Sequence, residues 1–245
     1  MKRIGCAFVL CAVAFNGLYA TKPPTSTEFF PFSVGTYWLY KGTVRYEDSE
    51  EGMPASTDVT WKMSVERVIR KQGLVAAVVR GYPSDLDWTA GTTEAKPWLI
   101  LEDEKHRVFL ENLGPEFDLS KLSGDERVFD KFLADDNLFF QWPMKQGAKH
   151  CDEESKKRDD GMYCWVVSGL ETKKLETIKG APPAEQTVYE LQYRTMPDDT
   201  TVELVQGIGV LRYEYHHHGT TADTELRLVE FHPTGESPEV RGSEP

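Results

Sequence analysis

The strongest constraint in this sequence is the recurrence of short segments in which apolar and polar residues alternate at period two. Over 36–46 the chain reads TYWLYKGTVRY. Trp38, Tyr40, Val44 and Tyr46 fall on one side, and Lys41, Thr43 and Arg45 on the other. Successive side chains of a strand point to opposite faces, so this pattern predicts a strand with one face buried. A second strand is predicted over 59–70, with Val59, Trp61, Met63 and Val65 sharing a face. Lys71-Gln72-Gly73 reads as a hairpin turn into a strand over 74–80. Further strands are predicted over 98–101, 107–110, 163–171, 188–194, 201–205, 209–217 and 224–232. The stretch 113–137 is broken by Gly, Ser, Asp and Lys and predicts a short helix near 125–133.

These segments amount to roughly nine or ten strands joined by hairpin-length connections. Regular helices do not alternate with them, which argues against a βαβ architecture. The expected fold class is all-β with minor α: a large curved antiparallel sheet, half-barrel or open barrel-like. Two packed layers are the other outcome for a sheet of this size. A single β domain is expected over 29–233, after a linker over 21–28 and before a polar tail over 234–245.

The N-terminus carries an address. Lys2 and Arg3 precede an apolar run from Ile4 to Phe15, and Ala20 precedes a Pro-rich stretch. This is the pattern of a secretory signal peptide over 1–20. Neither Cys6 nor Cys11 stands in a lipobox, because Leu10 precedes Cys11 and almost no apolar run precedes Cys6. The expected location is therefore exported, periplasmic or extracellular. No apolar run reaches the ~20 residues of a membrane helix, so no transmembrane segment is expected in the mature chain.

The chain has 245 residues, 28 Lys+Arg and 40 Asp+Glu, for a formal net charge of -12. Cleavage would remove Lys2 and Arg3 and no acid, which makes it more acidic still. An acidic surface lacks the basic footprint that nucleic acid or an anionic membrane requires. Cleavage also leaves Cys151 and Cys164 as the remaining pair. In an exported chain that pair predicts a disulfide across the charged loop 152–163. In the chain-entropy model such a link contributes about 3 kcal/mol. A metal role would need His150 and ligands from elsewhere.

An internal echo joins Phe30-Pro31-Phe32-Ser33-Val34-Gly35 to Trp142-Pro143-Met144-Lys145-Gln146-Gly147. Both read aromatic, Pro, large apolar, two residues, Gly, as a duplicated half-domain or chance would produce. The Phe30–Tyr40 segment, FPFSVGTYWLY, resembles the opening of uncharacterised exported bacterial β-rich proteins that begin F-P-[LF]-x-x-G-x-x-W. Gln206 to Val210 and Leu226 to Glu230 resemble their C-terminal hairpin. The resemblance implies a secreted curved sheet and no assigned activity.

Candidate sites are few. His216 and His218 would share one face of a strand and could hold a metal with a third ligand from Glu214, Asp223 or His232. The plainer reading is a solvated histidine run. Asp85-Leu86-Asp87-Trp88 only superficially resembles a calcium loop, since Gly91 is one place late and Lys96 stands where Glu is needed. The pairs Asp135-Asp136, Asp159-Asp160 and Asp198-Asp199 read as loop charge. Trp88, in an irregular loop, is the expected ligand contact, and the other tryptophans are expected in the core.

No nucleophile elbow, zinc-protease helix or phosphate loop is present in the sequence. No catalytic residue and no cofactor are expected. The leading expectation is a non-catalytic envelope protein that binds a hydrophobic small molecule or an envelope protein. A metal-dependent or carboxylate hydrolase, and a structural subunit of an envelope assembly, are the alternatives. Protein recovered from the cell envelope without reductant should begin at Thr21 and contain no free thiol, as read by intact mass with and without alkylation. A Met1 start or two alkylated cysteines would overturn the export reading.

Overall fold

The computed structural model describes residues 29–47, 52–124 and 126–234. The signal peptide (1–20), the linker (21–28), most of the acidic loop after Glu47 and all of the tail except Thr234 lie outside the described residues. Among the described residues twelve strands form one antiparallel sheet. The first six are β1 (Tyr37–Glu47), β2 (Pro54–Lys71), β3 (Leu74–Arg80), β4 (Pro97–Asp103), β5 (Arg107–Asn112) and β6 (Leu138–Gln141). The second six are β7 (Lys149–His150), β8 (Trp165–Lys174), β9 (Glu185–Arg194), β10 (Asp198–Val205), β11 (Gly209–His217) and β12 (Ala222–His232). Their order is β6-β5-β4-β3-β2-β1-β12-β11-β10-β9-β8-β7, so the chain makes two six-stranded meanders joined where β1 pairs with β12. The sheet curls into a nearly closed barrel. It forms one continuous layer, not two packed ones.

The echo marks the start of each meander, and the backbone repeats it. Gly35 (φ 87°) donates its N–H to the Val65 carbonyl at 2.9 Å, and Gly147 (φ 79°) donates to that of Val167 at 2.8 Å. Val65 N–H returns to Thr36 O at 2.9 Å, and Val167 N–H returns to Ala148 O at 3.0 Å. Thr36 N–H bonds Ser33 O, and Ala148 N–H bonds Lys145 O. The register then shifts just after Val65 in β2 and just after Val167 in β8. A glycine at positive φ is required at both corners because an L side chain is strained there. The two halves are thus built on one local plan.

The inward face follows the alternation in the sequence. Trp38, Tyr40 and Val44 from β1 and Val59, Met63 and Val65 from β2 are buried in one core. Trp61, Trp98, Trp142 and Trp165 pack against the same core. In β3 the alternation fails, since Ala76, Ala77, Val78 and Val79 are all buried. The reason is a second core outside the barrel, where Leu122, Phe129 and Phe132 cover Ala76, Val78, Leu99, Leu101 and Phe109. A strand covered on both faces reads as a continuous apolar run.

That covering segment corrects one expectation. Instead of a helix near 125–133 it forms short 3₁₀ turns at Leu119–Ser123 and Glu126–Val128. Its stability comes from inserting three aromatic or aliphatic side chains, which needs no helical period. The strands at Leu138–Gln141 and Lys149–His150 were not expected either. The first is short and buried on consecutive positions, and the second has two residues.

The barrel is stoppered at both ends by its own chain. At one end Phe29, Phe30 and Phe32 are buried, and Phe29 lies 4.7 Å from Phe140 and 5.4 Å from Trp142, ring centre to ring centre. The aromatics of the two echo segments therefore meet around Phe29. The Phe29 N–H donates to the buried Glu102 carboxylate at 2.9 Å, and its carbonyl accepts from Gly207 N–H at 2.8 Å. At the other end the β3–β4 connection crosses the mouth, with Pro83–Leu86 in a 3₁₀ turn and Tyr82 and Leu86 buried in the core.

Cys151 and Cys164 are joined in a disulfide, Cα to Cα 4.8 Å. They extend the β7–β8 ladder by one step, after the pairs Lys149↔Val166 and His150↔Trp165. The loop they close holds the α1 turn (Glu153–Lys156), whose first N–H groups are capped by Asp152. Thr234, at the start of the expected tail, donates its hydroxyl to Val34 O at 2.9 Å and its N–H to Thr36 Oγ1 at 3.2 Å.

The β1–β12 seam admits no side chain at Gly42, where a Cβ would stand 1.7 Å from the Glu225 carbonyl oxygen. Gly42→Ala is expected to destabilise by about 1–3 kcal/mol. Gly169→Ala, where the nearest atom would be an ordinary 3.5 Å away, should cost much less. Urea midpoints of the two variants would decide it; equal midpoints would sink the close-approach argument.

Candidate functional site

The mouth closed by the β3–β4 connection gathers a network of enclosed polar groups. Gly81 opens the connection at φ 82°, and its carbonyl accepts from Trp61 Nε1 at 2.8 Å. Asp85 is buried and serves the backbone: it accepts Lys96 N–H at 2.8 Å and Trp98 Nε1 at 2.9 Å. These bonds close the loop on itself and give each Asp85 oxygen a partner. Tyr82 packs against Trp98 on one wall and Tyr213 on the other, at 5.0 Å and 6.2 Å between ring centres.

Asp87 is the unusual group. It accepts a short hydrogen bond from the Tyr213 hydroxyl. Burial pushes its carboxyl up to about 7, against hydrogen bonds from Tyr213 and Thr224 that favour the charged form; the charges of Asp198 and Asp85 raise it further. Its Oδ1, the Tyr82 hydroxyl and the Ser84 hydroxyl are enclosed and have no hydrogen-bond partner in the protein. Buried polar atoms are ordinarily paired, so three orphans in one loop mark a functional candidate.

A second carboxylate lies at the same rim. Asp198, the first residue of β10, accepts from the Tyr215 hydroxyl at 2.6 Å and pairs with His217 Nδ1 at 2.8 Å. Burial pushes Asp198 up, but hydrogen bonds from Tyr215, His217 and Thr195 outweigh it and hold the carboxyl below its usual range. Burial, followed by the hydrogen bond to Asp198, raises the Tyr215 hydroxyl well above its ordinary value. Over this network stands Trp88, at φ 61° and 60% exposed, with its ring 4.3 Å from His217 and 6.3 Å from Tyr215.

The histidine run is split by the strand. His216 and His218 are exposed with ring centres 4.8 Å apart, while His217 faces the rim network. His216 Nδ1 contacts Asp223, and His218 Nε2 meets Asp199 at 2.8 Å. Of the other proposed ligands, Glu214 is held by Arg212. His232 stacks on Tyr37 at the far end of β12, 4.9 Å between ring centres. Among the described residues no three His, Cys, Asp or Glu side chains converge to hold a metal ion. His150 is buried beside the disulfide, and burial, then Lys156, lowers it to about 4, which keeps it neutral.

The outer surface of the described residues carries shallow clefts. One of about 260 Å³ is lined by Leu170, Val188 and the charged Glu171, Lys173, Glu190 and Glu203. Another, of about 330 Å³, lies between Lys71, Asp103, Phe129 and Leu133.

Sequence reasoning singled out Trp88, and named His216 and His218 instead of His217; it missed Asp87, Tyr213, Tyr215 and Asp198 as a group. The available signal was two tyrosines on the inward face of β11, a position where a hydroxyl needs a buried partner.

Asp87 makes the protein's stability depend on pH in a defined window. Its folded value is raised to about 7 from an ordinary 3.8, so above pH 7 the folded state bears the cost of a buried charge. That cost fades as pH falls through 7 and is gone near 4. Asp87→Asn should therefore raise the melting temperature most at pH 8, by an amount corresponding to on the order of a few kcal/mol at most. The advantage should shrink toward pH 5. Thermal melts of both proteins at pH 8, 7, 6 and 5 would show it; a constant difference would refute the assignment.

No family model matches the chain, and no curated protein matches it. Two solved structures are similar to it. One is a protein from Bacteroides fragilis named as an exported protein with a YmcC-like fold, at 14% identity and a TM-score of 0.39, covering 84% of this chain and 99% of that one. The other is a protein from Parabacteroides distasonis named as a lipoprotein, at 14% identity and a TM-score of 0.40, covering 84% and 98%.

Proposed function

We propose that this chain is an exported envelope protein that binds a ligand or a partner at the barrel rim carrying Trp88. The observation that carries the reading is the exposed indole of Trp88, held at positive φ over a hydrogen-bonded network, with three enclosed and unpaired polar atoms behind it. An exposed tryptophan beside hydroxyl and carboxylate groups offers an apolar face and hydrogen-bond partners at one place. The lumen supports a container role poorly, because Trp38, Tyr40, Phe29 and Phe30 already fill it. Export rests on the N-terminal signal pattern and the Cys151–Cys164 bridge, which suits an oxidising compartment.

One observation favours a second reading, a carboxylate hydrolase. Asp87 is raised and Asp198 lowered at the same rim, and carboxylates with divergent values can divide acid and base roles. The enclosure of Asp87 Oδ1 weighs against it, since a substrate would reach that oxygen only if the loop lifted. Binding therefore ranks first.

The test is a photo-crosslinking benzoyl-phenylalanine at position 88, compared with one at the exposed Leu170, in protein exported by its own cells. A discrete adduct at position 88 that is absent at 170 supports rim binding. Adducts at 170 alone, or none at either position, would overturn it. Loss of envelope-glycan cleavage in both Asp87→Asn and Asp198→Asn proteins would move the assignment to the hydrolase.

A further inference from the structure

We propose that His216 and His218 chelate a divalent transition-metal ion, Cu²⁺ or Zn²⁺, with Asp223 and Asp199 as positioning residues. The site is separate from the binding role at Trp88 and does not depend on it. Residues two apart at a strand end project to the same side, and here the two imidazole centres stand 4.8 Å apart with ring planes at 89°. Two imidazoles bound to one ion at about 2.0–2.1 Å, with an N–metal–N angle between square-planar and tetrahedral, place their ring centres about 4.5–5.3 Å apart. The observed spacing falls within that range without movement of the strand.

The hydrogen bonds assign the free nitrogens. An ionised carboxylate only accepts, so the nitrogen facing it must carry the proton. His216 Nδ1 donates to Asp223, which leaves Nε2 with the lone pair. His218 Nε2 donates to Asp199 at 2.8 Å, which leaves Nδ1 with the lone pair. A carboxylate behind each ligating histidine is the arrangement that fixes ring orientation and raises ligand basicity at metal centres. The carboxylates are themselves pinned, Asp223 by Arg45 at 3.3 Å and Asp199 by Arg194 at 3.2 Å. His217 is turned away to Asp198 and Trp88.

Both histidine side chains are more than half exposed, so an ion arrives from solvent, and the net charge of -12 favours a cation. With two protein ligands the remaining positions are taken by water. That gives an exchangeable site, distinct from a structural zinc with four protein ligands. Two imidazole ligands rank Cu²⁺ above Zn²⁺.

The experiment titrates the full mature protein with Cu²⁺ alone and with Zn²⁺ alone by calorimetry, and records the Cu²⁺ electron paramagnetic resonance spectrum. One equivalent should bind, with Cu²⁺ tighter and two imidazole nitrogens in the hyperfine pattern. His216→Ala or His218→Ala should weaken binding at least tenfold and leave one nitrogen. Asp199→Asn or Asp223→Asn should weaken it about tenfold while both nitrogens remain, which separates positioning from ligation. His217→Ala should bind as the wild type does. Unchanged melting temperatures would show that the variants are folded. Wild-type affinity in the His216→Ala/His218→Ala double variant, or fewer than two imidazole nitrogens in the wild-type spectrum, would overturn the proposal.

Discussion

The pairing of β1 with β12 is the interaction on which the rest of this structure depends. It joins the first and last strands of the described chain, from Tyr37↔His232 to Tyr46↔Ala222, and turns two separate meanders into one sheet. Without it each half would expose an unpaired edge and an open apolar face. Its contacts span nearly the whole domain, so they form only after a large loop-closure cost. Gly42 permits the close approach of the two backbones, and the bulge between Leu39 and Tyr40 adjusts the register there.

Once the sheet curls, its lumen must be filled, and the chain does this with its own connections. The Phe29–Phe32 segment enters one end and is fixed by backbone bonds to Glu102 and Gly207. The Tyr82–Leu86 segment closes the other and brings Asp85 and Asp87 with it. Asp85 is satisfied by backbone and indole donors, whereas Asp87 is only partly satisfied. The candidate site is therefore a by-product of plugging a barrel with a polar loop: burial raises Asp87, and the two inward tyrosines of β11 supply its setting. The histidine pair follows from another local fact, that β11 ends where three acidic residues of β10 and β12 lie alongside it.

The internal echo illustrates how far a short motif can be read. Three shared positions in the sequence were compatible with chance. The matching bonds at Gly35 and Gly147, and the matching register shifts after Val65 and Val167, tie the echo to two halves of one plan. The halves differ most where the second begins, because β7 has two residues and passes at once into the disulfide loop. The sheet begins at β6 and ends at β7, so the nearly closed barrel has its seam between them.

What the sequence by itself determined was the antiparallel β class, the inward face of β1 and β2, the pairing of Cys151 with Cys164 and the exposure of Trp88. Each of these follows from local physics: the period-two alternation, a count of two cysteines, and a bulky residue in a loop of turn formers. The tertiary structure alone decided the single curled sheet in place of two layers. It also decided the 3₁₀ turns that cover the outer face and the meeting of Asp87, Tyr213, Tyr215, Asp198 and His217. Asp87 lies 126 residues from Tyr213 in the chain, and alternation says which face a side chain takes but not what the opposite wall will place against it. Strand register and barrel closure supply that information, and both are long-range.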